Sequence, residues 1–568
     1  MSRPARVPLA ETIQRPRPMT RGTAIAAVAP WLIAAALVVA GAWSTRPVTP
    51  RRADAAPADF SAARALRHVE AIARAPHPMG STEIERVRAY LVTEAEALGL
   101  QADLQTVPAR DFFGDGGSLD VVNVVAWIPG SANTRAVLFI GHYDTVPTTP
   151  GANDNSTAVA TMLETARALR AGPRLANDVV FLFTDGEEPF HRFGANGFAA
   201  VPGLVDTLGL AVNLEAIGSD GASMLVETSG SQSWLVGGYA AAALTPAAFS
   251  FLTDITALIG TLGTDFDVFS HAGVAGMHFV YLRGSPIYHT MADDLDSVRV
   301  GSLQHHGDNA LAIARRFGDL DLTTVPDPDT AVFFSLRPFF VRYATPWAVA
   351  FALVAVGLLA VALAGSRRAR GLRWGAVARF AALSAGGALV SAALGAGAWV
   401  ALAGVRPTPG IVESTAYLAA LVAAAALLAR WLEARLAGPD AVARYGSVTL
   451  WTLLALLTAV ALPGFSYLFV WPALAGAVAL LWRPLDPASA VVRFAVVAAP
   501  TLLLTTPAVD TLWQFAQPRP GNPDSQMTAA AVVPLLLGAL AVTYLSGGWH
   551  RPDARAAPDS VPAGPGGR

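Results

Sequence analysis

The 568-residue chain has no cysteine. Disulfides and thiolate metal ligands are therefore excluded, and any domain outside the cytoplasm must hold together by burial alone. Charge is scarce too. Only 14% of residues are charged, against about 25% in an average soluble protein. The formal net charge of −2 carries no basic excess, so no nucleic-acid partner is expected. What the chain has instead is apolar surface. Hydrophobic residues make up 53% and mean hydropathy is +0.44, so part of the chain is expected to face lipid. Its length calls for at least two units.

The apolar excess is uneven. Residues 56–329 alternate apolar runs with acids, histidines and glycines, as a water-soluble domain does. Residues 346–547 are mostly Ala, Leu and Val, broken by short Arg-bearing loops, and are expected to form a membrane domain of about seven helices. Residues 23–43 predict one further span, preceded by a basic segment (residues 1–22) containing Arg3, Arg6, Arg15, Arg17 and Arg21. A cleaved signal peptide is the alternative, but its apolar region usually runs only about 7–15 residues. The later candidates are Pro346–Ala364, Phe380–Ala403, Ala416–Ala429, Ser447–Leu462, Phe465–Trp482, Phe494–Ala508 and Ala529–Leu545. Arginines in Ser366–Arg379, at Arg430, Arg435 and Arg444, and at Arg483 and Arg493 mark inward loops; Val405–Ser414 and Val509–Met527 fit the outside. Eight spans satisfy this alternation, with both ends cytoplasmic and the soluble domain extracytoplasmic, on the cell (inner) membrane. Residues 548–568, rich in Pro, Ala and Gly, read as a disordered tail.

Within the soluble domain, Glu83–Leu98 has helical spacing and Gly99 as a stop. Val121–Ile128, Ala136–Ile140, Val179–Phe183 and Leu210–Leu214 have strand length and composition, and Ser156–Arg170 reads as a helix between two of them. The fold class expected is α/β, a mostly parallel mixed sheet flanked by helices, joined to a polytopic α-helical membrane domain. In such sheets the ligand site lies beyond the carboxyl ends of the strands. The polar residues gather there: Ile140 leads to His142 and Asp144, Phe183 to Glu187 and Glu188, Leu214 to Glu215.

Five residues form a candidate site for two metal ions: His142, Asp154, Glu188, Glu215 and His289. Histidine nitrogen and carboxylate oxygen suit zinc, although cobalt or manganese accept the same donors. Two ions need a bridging ligand, and the short carboxylate of Asp154, just before a helix, suits that role. Asp144 would take the second imidazole N–H of His142 and fix its ring. Glu187, beside a ligand but pointing elsewhere, is free to accept a proton. Each residue alone has a structural reading, such as a solvated Glu-Glu loop or a hydrogen-bonded loop histidine. The constellation is the signal. His68, His77, His191, His271, His278, His305, His306 and His550 are assigned to structure or surface.

These stretches resemble the aminopeptidase-type two-zinc peptidases, the family of bacterial leucyl aminopeptidases and aminopeptidase Y. The resemblance rests on GHYDTVP at Gly141–Pro147, GANDNSTA at Gly151–Ala158, FLFTDGEE at Phe181–Glu188, NLEAIG at Asn213–Gly218, YHTMADDLD at Tyr288–Asp296 and HPMGS at His77–Ser81. It covers about half the chain and implies a zinc-exopeptidase-like fold. It also implies that one zinc is held by His142, Asp154 and Glu215, and the other by Asp154, Glu188 and His289. Glu187 would be the general base, Asp144 the residue orienting His142, and Tyr288 the donor to the oxyanion. Glu215 departs from the commoner aspartate and is similar to the membrane-bound branch, the vacuolar membrane protease and the endoplasmic reticulum metallopeptidase, which share this domain order.

The function expected is hydrolysis of a peptide or protein substrate by a membrane-anchored metallopeptidase, of aminopeptidase rather than endopeptidase type. Asp265, Asp267, Glu188 and Glu215 are the acids available to a free amine. Two other classes stay open, a non-catalytic receptor or scaffold ectodomain and a transporter with an accessory domain. The spans carry few ionisable residues, Arg430, Glu433 and Asp510 lying near their ends, which speaks against a transport path. Cyclisation of N-terminal glutamine by a one-zinc relative is disfavoured by the second set of ligands. Oligomeric state and peptide preference are not legible.

Overall fold

A computed structural model of the chain describes residues 21–110, 117–188, 191–259, 262–370, 372–405, 415–424, 427, 440–517 and 524–552. The water-soluble part is built on a seven-stranded sheet. Its strands are β1 (Gln101–Arg110), β2 (Ser118–Ile128), β3 (Ala136–His142), β4 (Val179–Thr184), β5 (Leu208–Ala216), β6 (Met224–Ser229) and β7 (Gly276–Tyr281), in the spatial order β1-β2-β4-β3-β5-β7-β6. The central four pair in parallel, while β1 and β2 at one edge and β6 at the other are antiparallel. The sheet is thus mixed, and mostly parallel where the site lies.

The central strands read as unbroken apolar runs because both faces are covered. Val137 and Phe139 of β3 pack with Phe181, Phe183, Leu210 and Val212 on one face. The alternate residues Leu138 and Ile140 pack with Leu182 and Ala211 on the other. Helices α2 (Ala62–Ile72), α3 (Thr82–Ala97) and α4 (Ser156–Arg170) belong to the first layer, and α5 (Phe193–Ala199) to the second. α6 (Gln232–Ala242) returns to the first, followed by α7 (Ser250–Ile259), α8 (Phe266–His271) in the second, and α9 (Val300–Gly318) in the first. Ser81 accepts the Ile84 N–H and starts α3; Gly99, at φ 70°, ends its turn in a conformation favouring glycine.

A hairpin absent from the sequence reading, β8 (Ala331–Leu336) and β9 (Phe339–Ala344), occupies the segment between residues 329 and 346. It runs directly into the membrane helices. These are α1 (Arg21–Trp43), α10 (Pro346–Arg370), α11 (Trp374–Val405), α12 (Thr415–Ala424), α13 (Asp440–Ala461), α14 (Tyr467–Leu481), α15 (Pro487–Phe515) and α16 (Asp524–Leu545). All eight expected segments thus carry apolar helix. Among the described residues, four are long and apolar enough to cross a membrane: Pro346–Arg367, Trp374–Leu402, Ala441–Ala461 and Pro487–Phe515. α14 is short: its 15 residues rise about 22 Å, less than a hydrocarbon core of about 30 Å.

Several loop boundaries differ from expectation. The basic segment Ser366–Arg379 is largely helical, with Arg367, Arg368 and Arg370 on the end of α10, Arg379 in α11 and only Arg373 between them, and the outward loop expected at Val509 is helix as far as Phe515. Residues 1–20, 406–414 and 428–439, which carry the N-terminal arginines, most of one outer loop, and Arg430, Glu433 and Arg435, lie outside the described residues. The tail needs correction as well. Gly548–Pro552 form a packed turn: Trp549 is fully buried, its carbonyl accepts from Arg493 Nε at 3.1 Å, and Gly548 O accepts from Arg444 at 3.2 Å. Carbonyls that satisfy two buried guanidinium groups hold this turn against the helix ends. Residues 553–568 lie outside the described set.

The two halves share one hydrophobic cluster. Met224 and Val226 of β6, Val280 of β7, Phe251 and Leu252 of α7, and Phe334 of β8 pack with Tyr467, Leu468, Leu504 and Ala508 of the membrane helices. Phe334 and Tyr467 stack with ring centroids 4.5 Å apart.

Candidate metal centre

The carboxyl ends of β3, β4, β5 and β7 open on one side of the sheet, and each delivers a predicted residue. His142 is the last residue of β3; Glu187 and Glu188 follow β4 after a turn at Gly186, φ 74°. Glu215 lies within β5, and His289 ends the loop after β7. Asp154 comes from the loop before α4. Gly151 in that loop, at φ 65°, lies so close to Asp154 that a Cβ would stand 2.5 Å from its carbonyl oxygen. Only glycine permits that fold-back.

The structure brings all five together. Nε2 of His142 lies 3.3 Å from Asp154 Oδ1 and 3.5 Å from Glu215 Oε2. Nε2 of His289 lies 3.3 Å from Asp154 Oδ2 and 2.7 Å from Glu188 Oε1. Two half-sites therefore meet at Asp154, which turns one oxygen to each imidazole. Donor atoms of His142, Asp154 and Glu188 all fall within 4.8 Å of one another.

The donor set suits metal ions on three observations. Two donors at about 2.0–2.1 Å from one tetrahedral ion stand about 3.3 Å apart, the separation found in three of the four contacts. Asp154 Oδ2, Glu188 Oε2 and Glu215 Oε1 are buried without a hydrogen-bond partner, although buried oxygens normally have one. Finally, six buried acids, Asp144, Asp154, Glu187, Glu188, Glu215 and Asp265, face two imidazoles. Buried charge in such excess needs cations or protons.

The proton affinities register that imbalance. Burial pulls His142 down, but the Glu215 charge and hydrogen bonds to Asp144, Asp154 and Glu215 raise it well above an ordinary histidine. Burial opposes the rise of His289 as well, yet Asp154 and Glu188 bring it to about 10. Burial pushes Glu188 up to about 7 against its bond to His289, and Asp265 to about 7 against its bond from Thr184. Glu187 is raised well above the carboxylate range, chiefly by burial, with Glu188, Asp265 and Glu215 adding to it against His142. Asp154 is held below its usual range: burial would raise it, but the two imidazoles win.

Two sequence expectations take a different form here. Asp144 meets His142 Nδ1 through its main-chain carbonyl at 3.0 Å, with Oδ1 farther away at 3.6 Å. Its carboxylate accepts the main-chain N–H groups of Glu187 at 3.1 Å and Glu188 at 3.0 Å, fixing the turn that carries them. Of the acids considered for a free amine, Asp267 is paired with Arg192 at 2.8 Å. Asp265 accepts from Thr184 Oγ1 at 2.5 Å through Oδ2, while its Oδ1 has no partner. The Tyr288 ring stacks on His289 with centroids 3.7 Å apart. Burial, then Glu188 and Asp154, raise its phenol well above the normal range, so it stays protonated.

Sequence reasoning missed Asp293. Its Oδ1 accepts from Asn153 N and Nδ2, both at 2.8 Å, and its Oδ2 from Asp154 N at 3.1 Å. It sits four residues after His289, inside a motif already singled out, so a signal was present. The histidines set aside are engaged elsewhere: His278 with Glu227, His305 with Thr245 O, His306 with Ser223 and His68 with Tyr90.

Residues 123–314, the span that supplies all five candidate ligands together with Asp144, Glu187, Tyr288 and Asp293, match the sequence model of Peptidase family M28. The chain carries a peptidase family M28 domain. Endoplasmic reticulum metallopeptidase 1 of Mus musculus is 30% identical over 275 residues, which cover 45% of this chain and 30% of that protein. The vacuolar membrane protease of Candida dubliniensis is 26% identical over 282 residues, covering 47% and 29%. The matched stretch thus spans about a third of these relatives' own length. Among solved structures, a glutaminyl cyclase of Bacteroides thetaiotaomicron is 17% identical, covers 45% of this chain and 97% of its own, and superposes with a TM-score of 0.37. Each of these two curated relatives is described as a membrane or organelle peptidase.

Proposed function

We propose that the chain is a membrane-anchored metallopeptidase that holds two zinc ions and removes N-terminal residues from peptides. The observation that carries this reading is the Asp154 carboxylate shared between two histidine–carboxylate half-sites. His142, Asp154 and Glu215 would hold one ion, and Asp154, Glu188 and His289 the other. Bound there, the ions supply Lewis acidity that polarises a carbonyl and makes water nucleophilic near neutral pH.

The chain's own groups do the rest. Glu187, whose burial among acids raises its affinity for a proton, is the group that would accept a proton from the attacking water and deliver it to the leaving amine. Tyr288, a phenol that keeps its proton, donates to the developing oxyanion; one such donor is worth about 3–4 kcal/mol. Of the acids not assigned to a metal, Asp265 keeps an unpartnered buried oxygen, Oδ1, free to receive an α-amine, which favours an aminopeptidase. The receptor reading requires lost ligands, and all five are present. The transporter reading requires free ionisable groups in the spans, whereas Asp510 is bonded to Arg283 and Thr45.

The orientation proposed for the chain is supported by α10. It begins beside the hairpin on the peptidase side and ends about 37 Å away at its arginine-bearing end. Basic helix ends face the cytoplasm, which supports a peptidase domain on the outer side of the inner membrane. The test uses the full chain in lipid nanodiscs, with zinc counted by elemental analysis and aminoacyl chromogenic substrates assayed with and without chelator. About two zinc ions with chelator-sensitive release are expected. Zinc without release from free N-termini, but cleavage of blocked peptides, would replace aminopeptidase by endopeptidase; no zinc would promote the scaffold reading.

A further inference from the structure

Arg283 stands where the ends of β5 and β7 meet the membrane domain. Its side chain is 6% exposed, and Nη2 pairs with Asp510 Oδ2 of α15 at 2.5 Å. The same oxygen accepts from Thr45 Oγ1 at 2.9 Å, on the segment leaving α1. The Arg283 main chain is locked on the other side. Its N–H donates to Asp220 O at 3.0 Å, and its carbonyl accepts from Ser219 N at 2.8 Å and Asp220 N at 2.9 Å. At Gly218 a Cβ would lie 2.4 Å from that carbonyl, so only glycine permits this close approach of the two segments. Glu215 is three residues before Gly218.

The chain then continues from Arg283 toward the site. Gly284 takes φ 81°, and Ser285 Oγ donates to Gln514 O at 3.2 Å, a second bond to α15. Residues 510 and 514 are one turn apart on the same helix face. Tyr288 and His289 follow within six residues of Arg283. His289 has φ 61°, a left-handed backbone that a non-glycine residue holds only when its surroundings over-determine it. Two bonds to one helix face provide such a constraint.

We infer that Asp510 is a positioning residue for the metal centre: through Arg283 it holds the β5 end bearing Glu215 and the loop bearing Tyr288 and His289 in register. This inference rests on the two-zinc reading above. It makes α15 part of the enzyme's working geometry, beyond an anchor. An ionisable side chain in a membrane helix is costly, which favours a role of this kind.

The experiment compares Asp510→Ala with a second joint between the halves that lies away from the loop. Asp254 Oδ2 accepts from Gly464 N at 2.7 Å, so Asp254→Ala weakens docking without touching Arg283. Full-length proteins in nanodiscs are titrated with zinc against a competing chelator, assayed for kcat and KM, and melted. Asp510→Ala is expected to weaken zinc binding and lower kcat by about 10- to 100-fold each, with KM within about threefold. Asp254→Ala should keep both near wild type at a similar loss of Tm. Wild-type kcat and zinc affinity in Asp510→Ala, or equal losses in Asp254→Ala, would overturn the inference. Should Asp510→Ala fail to fold, Ser285→Ala, which removes only the bond to Gln514, must lower zinc affinity and kcat by at least about threefold, and no change in either would sink the idea. A wild-type protein that binds two zinc ions but cleaves nothing would defeat the peptidase reading while the zinc titration still decides the role of Asp510.

Discussion

Asp293 holds Asp154 by its main chain: Oδ2 of the first accepts the N–H of the second at 3.1 Å, while Oδ1 takes the neighbouring Asn153. The proposed bridging carboxylate is thus aimed by its backbone, leaving both oxygens for the site. Asp293→Ala is expected to weaken zinc binding by about 10- to 100-fold, with KM changed less than kcat. Chelator competition on the purified variant measures it, and zinc binding equal to wild type would remove Asp293 from the site.

Glu187→Gln should separate binding from chemistry. Gln keeps the shape and cannot take up a proton. The variant is expected to retain its zinc and to lose about 10²–10⁴-fold in kcat. Turnover near wild type would show that another group moves the proton.

Removing zinc should cost stability as well as activity, because six buried acids would again face two imidazoles. Metal at 100 times its Kd stabilises by about 2.7 kcal/mol per site. Chelator should therefore lower the Tm of the full chain, and zinc should restore it. A Tm indifferent to both would mean that the acids are balanced by protons alone.

His306 provides a pH test at a histidine that is none of the candidate ligands. Burial, then His305 and His278, hold it down to about 3, whereas an unfolded histidine titrates near 6.5. Below about 6.5 the unfolded chain binds a proton that the folded chain refuses. The stability contributed by neutral His306 is therefore complete above that pH and is lost as pH falls toward 3, by up to about 1.4 kcal/mol per unit. In His306→Gln this loss is gone, so the wild type's Tm advantage should shrink between pH 7.5 and pH 5. A gap independent of pH would contradict the burial of a neutral ring.

The central sheet was legible because β3, β4 and β5 are buried on both faces and read as unbroken apolar runs. β1 was not: its exposed edge alternates polar and apolar residues, with Asp103, Gln105 and Arg110 inside the strand. β7 hides behind His278, whose ring is satisfied by Glu227 and looks polar only in sequence. Metal-site candidates could be read from strand ends, where short chain spacing brings polar groups together. Their supports could not. Asp293 acts on residues about 140 positions earlier, and Arg283 on one 227 positions later. Such pairings depend on topology, and no local pattern announces them. Asp510 was noticed only as an acid near the end of a span; its partner explains its presence.

The 227 residues between Arg283 and Asp510 also set an order of events during synthesis. At about 5–20 residues per second, Arg283 leaves the ribosome roughly 11–45 s before its partner exists. In that interval the sheet can close around β3 and β4, whose strand partners β2 and β5 all precede Arg283, while the guanidinium at the β5–β7 end stays in water. Only the insertion of α15, near the end of the chain, draws it into place. The newly made protein is therefore expected to acquire a sheet first and a finished metal centre last, when almost all of the membrane domain has been built.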